Sequence, residues 1–147
     1  MLHPCHHARS TPDKPAYLMA RTGETVTNRQ LEARSNQGAH LFRSLGLKRG
    51  DAIALMMDNN VRYFEICFAA QRSGLFFTAM SSRLSTQEAE YILADCGAKV
   101  LIVSSSLAAQ AAELLSRSPA VRTRYSVNGV LPGYTAWESD ATRSRRR

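Results

Sequence analysis

The sequence is short of several residue types, and each shortage removes a class of protein. It has three cysteines, Cys5, Cys67 and Cys96, an odd and widely spaced set with no C-x-x-C. That excludes a disulfide framework or zinc ribbon and fits reduced thiols in a cytoplasmic protein. No apolar run approaches the roughly 18 residues needed to cross a bilayer. Met1-Leu2-His3-Pro4 lacks the basic and apolar regions of a secretory signal. There is no G-x-S-x-G elbow on which to build a hydrolase triad. Gly46-x-x-x-Gly50 is not followed by Lys-Ser/Thr, so it is no P-loop. Low complexity is absent too: hydrophobic residues are 44% and charged residues 21% of the 147, a composition that can build a core.

Charge is lopsided. Of the net +7, four positive charges sit on Arg143, Arg145, Arg146 and Arg147, which leaves +3 for the rest. Nucleic-acid recognition needs a basic face on the folded domain, so a terminal arginine run argues against it. Apolar residues stop at Ala141. The domain is therefore expected to span residues 1–137, with residues 138–147 as a disordered, Arg-rich tail. Deleting residues 140–147 is expected to leave stability within about 0.5 kcal/mol.

The interior alternates strand and helix. Residues 16–20 and 25–27 flank a turn at Gly23, a hairpin signature. Thr27 and Gln30 form a capping box that opens a helix, and Gly46 stands beyond its end. Residues 52–57 are apolar without alternation, as in a strand covered on both faces. Asp58 or Asn59 is the expected cap of the next helix, whose apolar residues from Val61 to Gly74 cover most of its circumference. Residues 75–80 are a strand candidate. Ser85 and Glu88 form a second capping box, and Gly97 closes that helix. Residues 100–103 are a strand, residues 107–115 a helix and residues 121–127 a further strand. The fold class is α/β with a mostly parallel sheet.

Four segments resemble the N-terminal region of adenylate-forming (AMP-binding) enzymes, most of all bacterial fatty-acid and related acid–CoA ligases. Thr11-Pro12-Asp13-Lys14-Pro15-Ala16 is similar to the family's opening. Leu45-Gly46-Leu47-Lys48-Arg49-Gly50-Asp51-Ala52-Ile53-Ala54 resembles its Gly-x-x-x-Gly-Asp turn and strand. Residues 59–74 resemble the following helix. Residues 84–103 resemble its Leu-Thr-x-x-Glu helix and Gly-Ala-Lys-Val-Leu strand. Ala79 and Ser81 depart from the Pro and Asn of many members.

The resemblance implies an incomplete part of the large N-terminal domain of such enzymes, roughly the first quarter. A full-length parent would use a carboxylic acid, ATP, Mg and CoA, and would form an acyl-adenylate and then an acyl-CoA. The family's phosphate loop, ribose-binding Asp and catalytic Lys lie downstream of this region. No catalytic, cofactor-binding or metal residue is therefore assigned. His3, Cys5, His6 and His7 are crowded, but no second ligand pair completes a shell. His40 is expected to pack or face solvent. Glu65, Glu88, Glu90 and Asp95 are expected to serve solvent or capping roles, and Ser104-Ser105-Ser106 to form a capped strand-to-helix turn. The alternative to a scaffold portion is a small interaction protein that pairs with a separately encoded remainder. The strand at residues 52–57 and the helix from Val61 to Gly74 want cover on two sides that the family draws from later segments, so exposed apolar surface, low solubility and self-association through that face are expected.

Overall fold

The computed structural model describes residues 3–143. Helix α1 (Pro4–Ser10) precedes a hairpin of β1 (Pro15–Leu18) and β2 (Thr25–Thr27). The chain continues through α2 (Asn28–Ser44), β3 (Ala52–Met56), α3 (Tyr63–Arg72), β4 (Phe76–Met80) and α4 (Thr86–Cys96). It ends with β5 (Val100–Ser104), α5 (Ala108–Arg117), β6 (Thr123–Val127), β7 (Thr135–Ala136) and α6 (Trp137–Arg143).

β4, β3, β5, β6 and β7 lie side by side in that order, every pair parallel. Parallel strands need crossovers; α3, α4 and α5 supply those from β3 through β6, and residues 128–134 join β6 to β7 without a helix. Ile53, Leu55, Val100 and Ile102 point into one core with Phe42, Ile66 and Trp137. Ala54, Met56, Leu101 and Val103 point into the other with Ala89, Leu93 and Leu114. Successive strand residues face opposite sides, so two covered faces demand an unbroken apolar run. That is why residues 52–57 show no alternation.

Both capping boxes form. Thr27 and Gln30 exchange bonds at the start of α2, and Ser85 and Glu88 at the start of α4. The residue after α4, Gly97, has φ 62°, a left-handed value that favours glycine.

Three expectations are corrected, and the first turns of the chain gain a helix. α3 starts at Tyr63 without a side-chain cap. Asp58 is turned elsewhere, and Asn60 Oδ1 accepts from the Arg62 N–H at 2.8 Å instead. α3 is also less apolar in its packing than its sequence: Phe64 is 49% exposed while Glu65 is 3% exposed. The crowded N-terminus is helical in α1, where the His3 ring accepts from the Cys5 N–H. Residues 138–143 are not a disordered tail but most of α6, because Trp137 and Ala141 are buried and tie it to the sheet. Residues 144–147, with Arg145, Arg146 and Arg147, lie outside the described residues.

β3 is covered from Ile53 to Met56, each at 0% exposure, with Ala52 half-buried at its start. Exposed apolar surface occurs elsewhere. Phe76 (69%) and Phe77 (41%) lie on the edge strand β4, and Leu18 (60%) on β1.

Candidate functional site

In an open parallel sheet, ligands bind beyond the carboxyl ends of the strands where the order reverses. Here the chain runs outward from β3 to β4 and returns to β5 on β3's other side. The reversal lies between β3 and β5, and the residues at or just past their ends are Asp58, Asn59 and Asn60 on one side and Ser104, Ser105 and Ser106 on the other.

These residues form one hydrogen-bonded cluster. The Ser104 hydroxyl donates to Asp58 Oδ1 at 2.6 Å, and the Ser106 hydroxyl donates to Oδ2 at 2.8 Å. In return the Asp58 N–H donates to Ser104 Oγ at 3.1 Å. Asn60 Nδ2 donates to the Asp58 carbonyl at 2.9 Å and reaches Ser104 Oγ at 3.4 Å. Burial pushes the Asp58 carboxyl up, but the bonds from Ser104, Ser106 and Asn60 together outweigh it and hold it below the usual carboxylate range. The serine run therefore caps no helix with its side chains; no cap bond forms at the turn Ser105–Leu107. The Ser104 and Ser106 hydroxyls fasten the β5 end to the β3 end, and the Ser105 hydroxyl donates to the Asn128 carbonyl at 2.8 Å.

An ATP polyphosphate does not fit this cluster. The site presents a carboxylate, and the two serine hydroxyls that a phosphate would need as donors are spent on it. Phosphate sites offer N–H nests and cations instead. Among the described residues, no group of three or more His, Cys, Asp or Glu side chains is placed to hold a metal ion. His3, Cys5, His6 and His7 share α1 and its cap. His40 is exposed on α2, Glu88 caps α4, Glu90 pairs with Arg117 at 3.1 Å, and Asp95 is exposed.

Glu65 departs from expectation most. It is a buried acid on α3, neither solvent-facing nor a cap. Its Oε1 accepts from Trp137 Nε1 at 3.0 Å, and its Oε2 pairs with Arg62 at 3.3 Å. Arg62 also reaches Glu138 at 3.5 Å, so α3 and α6 are joined by a Trp–Glu–Arg–Glu chain. Burial raises the Glu65 carboxyl above its usual range, against the opposing pull of Arg62, Trp137 and Arg34.

A raised folded value means the native state holds the proton more tightly than the unfolded chain. Glu65 then supports folding most fully below its unfolded value of about 4.3, and that support is lost as pH rises through the folded value. Glu65→Gln keeps an acceptor for Trp137 and removes the titration. Its urea-unfolding stability relative to the parent is expected to shift in the variant's favour as pH rises from about 4 toward neutrality. The lowered carboxyls of Glu32, Asp51, Asp58 and Glu88 act in the opposite sense but are common to both proteins. A relative stability that is flat or falls with pH would contradict this assignment.

Two cavities lie along β1, the second reaching Asn59 and Asn60 beside the switch-point cluster. One of about 380 Å³ is lined by Pro4, Lys14, Tyr17, Leu31, Phe64 and Phe68 among others. The second, about 420 Å³, is lined by Tyr17, Leu18, Met19, Asn60, Tyr63 and Phe64 among others. Tyr17 and Phe64 line both, with ring centroids 5.2 Å apart in an edge-on pair. The Tyr17 hydroxyl donates to the Val61 carbonyl at 2.6 Å. Burial first, and the nearby Glu65 carboxylate second, push it up to about 12, so it stays protonated at neutral pH.

The parallel doubly wound sheet with a hairpin and helix before it is the opening of the N-terminal domain of adenylate-forming enzymes. The family model for "AMP-binding enzyme" matches residues 5–145, and the chain belongs to that family. It is 38% identical over 104 residues to a long-chain-fatty-acid–CoA ligase of Salmonella typhimurium, a match covering 70% of this chain and 18% of the relative. It is 35% identical over 97 residues to a fatty acid–[acyl-carrier-protein] ligase of Streptomyces coeruleorubidus, covering 66% and 18%.

Among solved structures, the anthranilate CoA ligase AuaEII in complex with anthranoyl-AMP superposes with a TM-score of 0.85 at 22% identity. That match covers 97% of this chain and 28% of the ligase, and it shows the fold alone. The Mycobacterium tuberculosis fatty acyl CoA synthetase gives 0.80 at 26% identity, over 97% and 27%. The chain thus spans a minor part of the proteins it matches.

The Asp58 cluster had a partial signal in the sequence. An acid and a serine run each followed an apolar strand, and only the strand order brings them together. The Glu65–Trp137 bond joins residues 72 apart and had none.

Proposed function

We propose that this chain is the N-terminal scaffold portion of an ATP-dependent acid–CoA ligase, and that alone it catalyses neither adenylation nor thioester formation. The observation that carries the second part is the switch-point cluster. Its carboxylate and engaged hydroxyls repel a polyphosphate where an open sheet would otherwise bind one. The parent reaction joins a carboxylic acid to ATP as an acyl-adenylate with release of pyrophosphate, and then passes the acyl group to CoA. The contribution of this chain is two packed helical layers on a parallel sheet, against which the remaining parts of such an enzyme would be held. Purified chain is expected to give no acid-dependent pyrophosphate release and no acyl-CoA with fatty or aromatic acids plus ATP, Mg and CoA. Turnover above the level of a Trp137→Ala control would defeat the proposal.

A second reading is favoured by one observation, the exposed apolar side chains along β1 and the start of α3. In it the chain acts as an interaction protein that pairs with a separately supplied remainder. Both readings place the working surface outside the two buried cores.

A further inference from the structure

The hairpin β1–β2 is a sheet of two strands, and β2 is the sole strand partner of β1 among the described residues. The outer edge of β1 is left with main-chain groups of the kind that accept an added strand. Two cavities touch β1 and its flanking residues in succession. The first touches Lys14, Pro15, Ala16 and Tyr17, and the second touches Tyr17, Leu18, Met19 and Ala20. β1 itself is four residues, Pro15–Leu18, about 13 Å of extended chain, and Met19 and Ala20 lead from it into the hairpin turn.

The groove is stiff. Tyr17 is pinned by its hydroxyl to Val61 and by its ring to Phe64. At the other end, Asn28 Nδ2 donates to the Thr11 carbonyl at 2.9 Å and so ties the loop after α1 to α2. Its exposed apolar side chains are Leu18 at 60% and Phe64 at 49%, flanked by the exposed polar residues His7, Thr11 and Lys14. Its ends differ in charge. Lys14, which makes no salt bridge to a described residue, stands at one end, and the neutral Asn59 and Asn60 stand at the other.

We propose that this groove receives an extended, mainly apolar polypeptide segment as a third strand of the hairpin, with an acidic residue at the Lys14 end. Its source is the complementary part of an adenylate-forming domain. The inference rests on the preceding reading for its choice of partner. The shape argues for an extended peptide: a free strand edge offers main-chain bonds along its length, and alternate side chains of a strand fall on one face. Two cavities separated by one ring pair suit such side chains, one in each. A small molecule would fill one cavity and leave the edge unpaired, and a helix has no free main-chain groups to give it.

The test is an array of overlapping peptides, each about ten residues long, tiling the Salmonella typhimurium long-chain-fatty-acid–CoA ligase and, as a control, an unrelated protein. The purified full chain is the probe. Binding is expected to concentrate in one overlapping set from the ligase, with alternating apolar residues and an acid near one end. Leu18→Lys and Phe64→Asp are both at exposed positions and should keep the native circular dichroism. Each is expected to weaken binding by roughly tenfold or more, as loss of one apolar contact implies. Tyr91→Lys, which alters an exposed ring on α4, should leave it unchanged. Bound peptide should protect the amides of residues 16–18 from hydrogen exchange. The inference is overturned if no ligase peptide binds, if control peptides bind equally well, or if the groove variants bind as the parent does. Pyrophosphate release by the chain alone would defeat the proposed function while leaving the array result to stand.

Discussion

Trp137→Ala is expected to lower unfolding stability by about 3–5 kcal/mol, the cost of emptying a large aromatic site in a packed core. Trp137 is 0% exposed and stands at the first position of α6. Its ring lies 5.5 Å from Phe42 on α2 and 5.7 Å, edge-on, from Tyr125 on β6. Its indole N–H is the donor to Glu65, whose carboxylate is buried on α3. Truncation therefore does two things. It opens a cavity where α2, α3 and β6 meet, and it leaves a buried acid short of one hydrogen bond, a further penalty. Trp137→Phe separates the two effects. It keeps most of the ring packing and loses the donor, so its cost should be smaller, about 1–3 kcal/mol. A typical domain has only about 5–15 kcal/mol in total, so the alanine variant is expected to unfold at a visibly lower urea concentration. A loss under about 1 kcal/mol would mean α6 is not held against the sheet as described.

The same contacts revise the expectation for the C-terminal segment. Removing residues 140–147 takes away the buried Ala141 and the bond between Tyr125 and Asp140 at 3.1 Å. The loss should exceed the 0.5 kcal/mol typical of surface changes. Composition pointed the wrong way here for a physical reason. A helix of about two turns, rich in Ser, Asp, Thr and Arg, reads as disorder, and the single tryptophan that anchors it sits at the boundary rather than within. Burial by one large side chain carries no periodicity.

What the sequence did show was local or doubly repeated. The two capping boxes are satisfied within four residues and form as written. The unalternating strands announced a sheet covered on both sides, because no one-sided sheet needs Ile53, Ala54, Leu55 and Met56 in succession. The alternation of strand and helix then implied parallel pairing. The order of strands did not follow from it, and with the order went the site. Asp58 could have capped the next helix; the nearness of Ser104 and Ser106 across the β3–β5 boundary decided otherwise. Phe64 shows the opposite limit. Its helix reads as apolar nearly all round, yet the faces actually covered are those of Ile66, Ala69 and Ala70, and Phe64 is left beside Tyr17.

Gly38→Leu is expected to be the other strongly disruptive change, and for the reverse reason. Gly38 lies inside α2, where glycine costs about 1 kcal/mol relative to alanine, so a better helix former would ordinarily help. Space forbids it. A Cβ built at Gly38 meets the Ala69 Cβ at 2.7 Å and the Trp137 ring at 3.0 Å. Ala69 is short and fixed to the α3 backbone, so it cannot swing aside, and Trp137 is held by its bond to Glu65. The two helices pack as closely as they do because this position carries no side chain. Leucine must push α2 from α3 and displace the indole, and overpacking of this kind costs about 1–3 kcal/mol or more even before the Glu65 bond is strained. Gly38→Ala adds only the first atom. Its helix gain offsets part of the clash, so its net loss should be the smaller of the two. The readout is direct, because Trp137 is the one tryptophan of the chain. Its fluorescence should be blue-shifted in the parent, as expected for a dry indole, and should move to the red in Gly38→Leu together with a lower urea midpoint. Unchanged emission with unchanged stability would show that α2 and α3 do not meet at Gly38.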